Sequence, residues 1–350
     1  NFSKLIFPSN NLVTFGILAL VSVFLVASFS GIGGNAIGKV SVWGSLPESV
    51  MEEVISEVDR AQDGFEGVTY REIAPDAFTA TLVEAIAAGR GPDLIIFSAS
   101  SVVCERDKVT PISYRTVPRR DFQDAFIEAG EVFLADEGVL GLPFYIDPYV
   151  LYWNRTLFSE AGVARPPRYF DEFTDLAPRL SKGSEGGTLT QSAVALGEWG
   201  NVNHAKEIFI SLMVGLGNNV ISKNEDGVYV ATLTERSDDT LSPAESALRF
   251  YTDFADPVKS SYSWNRSQPN SRDAFLAGTL ATYFGRASEV FTLRSGNPNL
   301  NFDVAPYPLV RDGKSVNPTD LYALSIPRGA VNQKGALALA AAALLLLRFA

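Results

Sequence analysis

The sequence predicts an α/β protein of two lobes preceded by an N-terminal transmembrane helix, and three observations carry that expectation. Short apolar strands alternate with amphipathic helices from residue 40 to 97, the rhythm of a parallel sheet with crossover helices. From Gly138 to Phe173 an extended run stops at Asp147-Pro148, resumes, and passes into new helices, as where a chain leaves one lobe for another. No charged residue occurs between Lys4 and Lys39. At 350 residues the chain is long for a single core, and two lobes suit that length.

Within the uncharged gap, Leu12 to Ile32 is rich in Leu, Val, Ile, Phe and Ala. A helix of that length crosses the ~30 Å hydrocarbon core. A cleaved signal, with Ala27-Ser28-Phe29 in the cleavage region, is the competing reading, but the apolar core is long for one. An uncleaved anchor is therefore expected. Gly31 to Ala36 fits a dinucleotide-binding spacing, and Gly33 to Lys39 a phosphate-loop spacing. Neither follows a strand, and Val40 stands where the phosphate loop needs Ser or Thr, so a flexible linker explains these glycines better.

Val40 to Trp43 reads as the first strand, followed by a helix from Pro47 to Ala61 with Val50, Val54, Ile55 and Val58 at helical spacing. Val68 to Ile73 is a second strand and Ala77 to Ala88 a second helix. Pro92 to Phe97 is apolar on both faces, as a central parallel strand should be. Ligands of such sheets lie beyond the carboxyl ends of the strands. Trp43-Gly44-Ser45 and Ser98-Ala99-Ser100-Ser101 occupy those ends as small hydroxyl-bearing loops, which makes Trp43, Ser45, Ser98 and Ser100 candidate ligand contacts.

A charged loop with Pro111 and Pro118 leads to residues 121–136, where the periodicity is weaker. The crossover brings a strand from Val139 to Tyr145, a second from Tyr149 to Trp153, and a short helix opened by Asn154 and closed by Gly162. Asp171 to Leu180 is an amphipathic helix, Ala193 to Leu196 a strand, and His204 to Leu216 a further helix. Residues 218–239 read as a hairpin or an irregular excursion around Asp226-Gly227. Ser242-Pro243-Ala244-Glu245 joins an N-cap Ser, a first-turn Pro and a capping-box Glu. A helix over 271–276, strands over 279–284, 302–308 and 321–326, and a helix from Lys334 to Phe349 complete the chain. That last helix is too short and too rich in Ala for a membrane span.

The charge balance of 29 basic against 40 acidic residues, −11 net, repels phosphate backbones, so no nucleic-acid partner is expected. One Cys, Cys104, excludes an internal disulfide, and one His, His204, argues against zinc or Ser-His-Asp hydrolysis. The carboxylate pairs Asp238-Asp239, Glu52-Glu53 and Asp171-Glu172 read as solvated faces or helix N-termini. Aromatic residues beside short polar ones are abundant near strand ends. A sugar ring has an apolar face that an aromatic platform desolvates and a hydroxyl rim that Asp, Asn, Arg and Ser can bond. On that logic Tyr145, Asp147, Trp199, Asn201, Trp264, Tyr283 and Arg286 join the candidates, whereas Tyr152, Phe158 and Phe254 are assigned to the core.

LPFYIDPYVLYWNRTLFSEAGV followed by PPRYFDEF resembles the lobe-crossing segment of family 1 extracellular solute-binding proteins of ABC transporters. GRGPDLIIFSAS, the run from Phe250 to Arg286 and FDVAPYP fit the same family in order, over residues 40–350. AFLAGTLATYFG is similar to its Phe-x-x-Gly-x-x-Ala-Met signature, with Thr282 where Met is usual. The resemblance implies a two-lobed, type II periplasmic-binding-protein-like fold: an anchor and linker over 1–38, a first lobe over 39–145 plus 304–350, and a second over 146–303. It implies no enzyme and no cofactor or metal. It further implies an extracytoplasmic binding component of an ABC importer that closes on a carbohydrate or similar polar small molecule by a hinge and serves permease subunits. Members often carry an acylated Cys after the signal; none follows the apolar run here, so the helix itself is the expected single-pass tether to the cell membrane. Members also continue past the helix that ends near Ala350, so a truncated second lobe is expected. A surface-tethered glycoside-processing enzyme and a sensory ligand-binding module are the alternatives.

Overall fold

The computed structural model of the chain describes residues 37–346 other than 62, 185–187, 225–227 and 234–241. The expected membrane helix over Leu12 to Ile32, the glycines of 31–36, Asp226-Gly227 and Asp238-Asp239 lie outside the described residues. The chain divides into two compact units, one running to Ile146 and resuming at Asp320, the other spanning Asp147–Thr319.

The first unit opens with β1 (Val40–Gly44), α1 (Glu48–Ala61), β2 (Val68–Glu72), α2 (Phe78–Ala87) and β3 (Leu94–Ser98), close to the expected rhythm. β1 lies parallel to both neighbours, with Val42 opposite Tyr70 on one side and Leu94 on the other. Val40, Val42 and Leu94 to Phe97 are buried, and helices on the faces of such strands explain their unbroken apolar runs. The expected hydroxyl loop after β3 is instead α3 (Ala99–Glu105). Ser98 takes the N-cap, its Oγ accepting from the Ser101 N–H at 3.1 Å. Then follow α4 (Arg119–Ala125), a 3₁₀ stretch over Glu128–Phe133, and a two-rung hairpin of β4 (Leu134–Ala135) and β5 (Gly138–Val139).

The expected pair of strands at the crossover is one strand, β6 (Leu142–Asn154), running through Pro148. The fixed φ of proline suits extended backbone, and the Pro148 carbonyl still accepts from the Ala287 N–H at 2.8 Å.

In the second unit Asn154 caps α5 (Arg155–Glu160), accepting from the N–H groups of Thr156 and Leu157. α6 (Glu172–Leu180), β7 (Lys182–Gly183), β8 (Leu189–Val194), α7 (Ala205–Gly215) and the hairpin β9 (Ile221–Lys223) with β10 (Tyr229–Ala231) follow. α8 (Pro243–Asp253) carries the full capping box read from its sequence, Ser242 and Glu245 bonding reciprocally at 3.1 and 3.0 Å. α9 (Ser271–Leu276), β11 (Leu280–Arg286), α10 (Glu289–Gly296) and β12 (Phe302–Pro306) complete it. β11 is parallel to β8 and antiparallel to β6, with Arg286 opposite Tyr149. β12, expected to return to the first lobe, pairs with residues 150–154 of β6 and so stays in the second unit. Tyr152, Phe158 and Phe254 are core here, as read from the sequence.

The chain re-enters the first unit through β13 (Thr319–Ser325), antiparallel to β3 with Tyr322 opposite Ser98. α11 (Gln333–Leu346) packs against α1, and most of its alanines are buried. Its start is fixed by the buried Asp93, whose Oδ1 accepts from the Asn332 N–H at 2.8 Å and whose Oδ2 accepts from the Ser41 N–H at 3.0 Å. Among the described residues, no helix is long and apolar enough to cross a membrane.

Candidate functional site

In the first unit, the parallel register of β1 and β3 brings Ser45 and Ser98 to the same end of the sheet. Ser45 is half-buried and Ser100 exposed. The Ser98 hydroxyl lies 3.0 Å from that of Ser100 and donates to Ser101 Oγ at 2.8 Å. Tyr145 is half-buried and stacks on Tyr322. Trp43 departs from expectation: its ring is buried in the core and covered by the Arg71 guanidinium, 4.8 Å from the ring centroid. Arg71 sits opposite it in β2, so the strand register itself closes that face.

In the second unit, the carboxyl ends of β8 and β11 and the Tyr149 end of β6 meet at one edge of the sheet. The loop from β8 to α7 is pinned along its length there. Tyr251 donates to the Glu198 carbonyl at 2.7 Å. Asn201 Nδ2 donates to the carbonyls of Asn265 and Gln268, and Asn203 Oδ1 accepts from Ser271 Oγ and the Arg272 N–H. Gly197 lies at φ 94°, and a Cβ there would sit 2.6 Å from that of Ala255, so only glycine fits. On this anchored loop Trp199 is 60% exposed. An indole left in water on a loop bonded on both sides of it is a preorganised apolar surface.

Four other candidates turn out to be structural. Trp264 is fully buried and its Nε1–H donates to Asn201 Oδ1 at 3.1 Å, which also commits Asn201 to the loop. Asp147 is buried and accepts from the N–H and hydroxyl of Ser288 at 2.9 and 2.6 Å, at the start of α10. Tyr283 is buried and donates to Glu289 Oε2 at 2.6 Å. Burial, then the neighbouring Glu289 charge, pushes its hydroxyl pKa well up. Arg286 keeps its place at the strand end, half-buried, with its guanidinium 5.7 Å from the Tyr149 ring centroid.

His204 links three elements. It adopts φ 61°, its Nδ1 lies 3.3 Å from the Tyr149 hydroxyl, and its Nε2 lies 2.6 Å from Glu289 Oε1. The Arg286 N–H also donates to Glu289. Burial raises the Glu289 carboxyl pKa, but the bonds from His204, Tyr283 and Arg286 outweigh it and leave the group below its ordinary value. No sequence signal marks this cluster, because its members meet only through the sheet. Among the described residues, no group of three or more His, Cys, Asp or Glu side chains is placed to hold a metal ion.

Two α/β units, each with hydroxyl or aromatic side chains gathered at the carboxyl ends of parallel strands, have the architecture of a protein that binds small polar ligands. The sequence pattern of one such group matches residues 54–345. The chain therefore belongs to the bacterial extracellular solute-binding protein family. Its members, and the solved proteins below, are binding proteins, and the family is an extracellular one. No curated protein matches the sequence. The fold is similar to an ABC transporter solute-binding protein from Thermotoga lettingae bound with α-D-tagatose, at 19% identity and TM-score 0.63, covering 87% of this chain and 76% of that one. It is also similar to an ABC substrate-binding protein from Listeria monocytogenes in complex with cycloalternan, at 15% identity and TM-score 0.66, covering 87% and 74%. A maltotriose-binding protein from Thermus thermophilus bound with maltotriose matches at 18% identity and TM-score 0.61, covering 86% and 76%.

Proposed function

We propose that this protein is the substrate-binding component of an ABC importer and that its ligand is a carbohydrate or similar polar small molecule. The observation that carries the reading is the exposed Trp199 ring held on a fully anchored loop at the carboxyl end of its sheet. Ser45, Ser98 and Ser100 at the ends of β1 and β3, Arg286 at the end of β11, and Tyr145 within β6 supply polar and aromatic contacts. The sugars bound by the three solved proteins of this fold support the ligand class. Capture proceeds by hinge closure, and permease subunits read the closed form.

The test is a thermal-shift screen against α-D-tagatose, maltotriose and cycloalternan, with a dipeptide and an amino acid as controls. A ligand at 100 times its dissociation constant adds about 2.7 kcal/mol of stability. Shifts by sugars alone support the reading; shifts only by the controls contradict it. Trp199→Ala is expected to weaken sugar binding by about 1–3 kcal/mol with an unchanged melting temperature, since the ring touches ligand and not core. Equal affinity in the folded variant removes Trp199 from the site.

The tether is proposed to be the uncleaved apolar segment from Leu12 to Ile32. The protein then stays with membranes through salt and carbonate washes. Recovery of a soluble form whose N-terminus lies beyond residue 27 contradicts the anchor.

A further inference from the structure

We propose that Tyr322 is an aromatic ligand contact of the first unit, stacked on Tyr145; the assignment rests on the carbohydrate reading above. Tyr322 sits in β13 directly opposite Ser98, the last residue of β3. Through the parallel register of β1 and β3, that end of the sheet is also where Ser45 follows β1. Tyr322, Ser98 and Ser45 thus share the carboxyl end of the parallel strands, where sheets of this kind bind ligands.

The geometry of the pair separates it from the other large aromatics of the unit. The Tyr322 and Tyr145 rings are nearly parallel, with centroids 4.6 Å apart and planes inclined by 11°. Phe144 meets Tyr145 at 77° with centroids 5.7 Å apart, which fixes the pair from the chain neighbour as well. Phe97, Phe122 and Phe133 are fully buried and Trp43 lies under Arg71; Tyr145 and Tyr322 are half-buried, as are Tyr70, Tyr114, Phe126 and Phe144, so it is the stack that sets the pair apart. A stacked pair left partly open at a strand end offers a flat apolar area with its tilt already set. Such an area desolvates the apolar face of a sugar ring at little cost in side-chain ordering. The exposed Ser100 hydroxyl, 3.0 Å from that of Ser98, suits the rim of the same ring.

The test is calorimetric titration of whichever of maltotriose, α-D-tagatose and cycloalternan binds the unsubstituted chain most tightly. Tyr322→Ala and Tyr322→Leu are expected to lower affinity about tenfold, because a face of roughly one side chain loses its partner. Leu keeps apolar volume in case Ala disturbs the fold. Tyr322→Phe keeps the ring and is expected to stay within about threefold of the unsubstituted chain, having lost at most one hydrogen bond. Melting temperatures without ligand separate this from a packing role. A packing residue lowers them in the Ala and Leu variants while the folded fraction binds as before, and that result overturns the proposal. If the unsubstituted chain binds none of the sugars, the carbohydrate reading falls and takes this assignment with it. If that chain binds and both variants bind equally well, only the assignment to Tyr322 falls.

Discussion

Replacing Trp264 by Ala is expected to destabilise the second unit by about 3–5 kcal/mol, the usual cost of removing a fully enclosed aromatic side chain. The indole is completely buried, so its loss leaves a cavity among packed neighbours. Its Nε1–H is also the donor to Asn201 Oδ1, which then lacks that partner. Against a total stability of about 5–15 kcal/mol for a typical domain, this is a large share. Asn201 is one of the pins of the Trp199 loop, so ligand affinity falls too, but only as a consequence of loosening. Denaturant unfolding checks the first effect. A variant as stable as the unsubstituted chain shows that Trp264 is not core.

Substituting Glu289 has an effect of similar size with a pH signature. Its carboxylate accepts from Tyr283, the Arg286 N–H and, at 2.6 Å, faces His204 Nε2. Glu289→Ala leaves these buried partners unmatched, and a loss of about 3–5 kcal/mol at neutral pH is expected. The folded-state pKa is lowered, so the native state binds the proton less readily than the unfolded chain. The stability this supplies is fully present above the ordinary carboxylate value of about 4.3 and is lost as pH falls through the lowered folded value. Glu289→Gln removes the titration while keeping the shape. The stability gap between the unsubstituted chain and Glu289→Gln is therefore expected to be widest near neutrality and to narrow in acid. A gap that widens in acid contradicts the network.

The parts of this molecule legible in its sequence are those decided by neighbours in the chain. The capping box at Ser242 needs only four consecutive residues, and it formed as read. The strand and helix rhythm of the first unit follows from local apolar spacing, and it too was recovered within a residue or two. Trp199 and Trp264 could not be told apart that way, because both sit among Gly, Asn, Ser or Glu. What separates them is a hydrogen bond between positions 63 residues apart that seals one ring inside the unit. The lobe assignment of Phe302–Pro306 likewise depended on a pairing with residues 150–154, and the partners of His204 lie 55 and 85 residues away. Pro148 misled for a different reason. A proline marks where a ladder hydrogen bond is missing, which is not the same as where a strand ends.

The central claim, that this chain captures a carbohydrate, is tested most directly by equilibrium dialysis of the protein against maltotriose, α-D-tagatose and cycloalternan. The account predicts saturable binding of at least one of them at one ligand per chain, with a dissociation constant of about 1 µM or tighter, equivalent to about −8.2 kcal/mol. Linear, unsaturable uptake of all three up to millimolar concentration, with saturable uptake of a peptide or amino acid in their place, would contradict it.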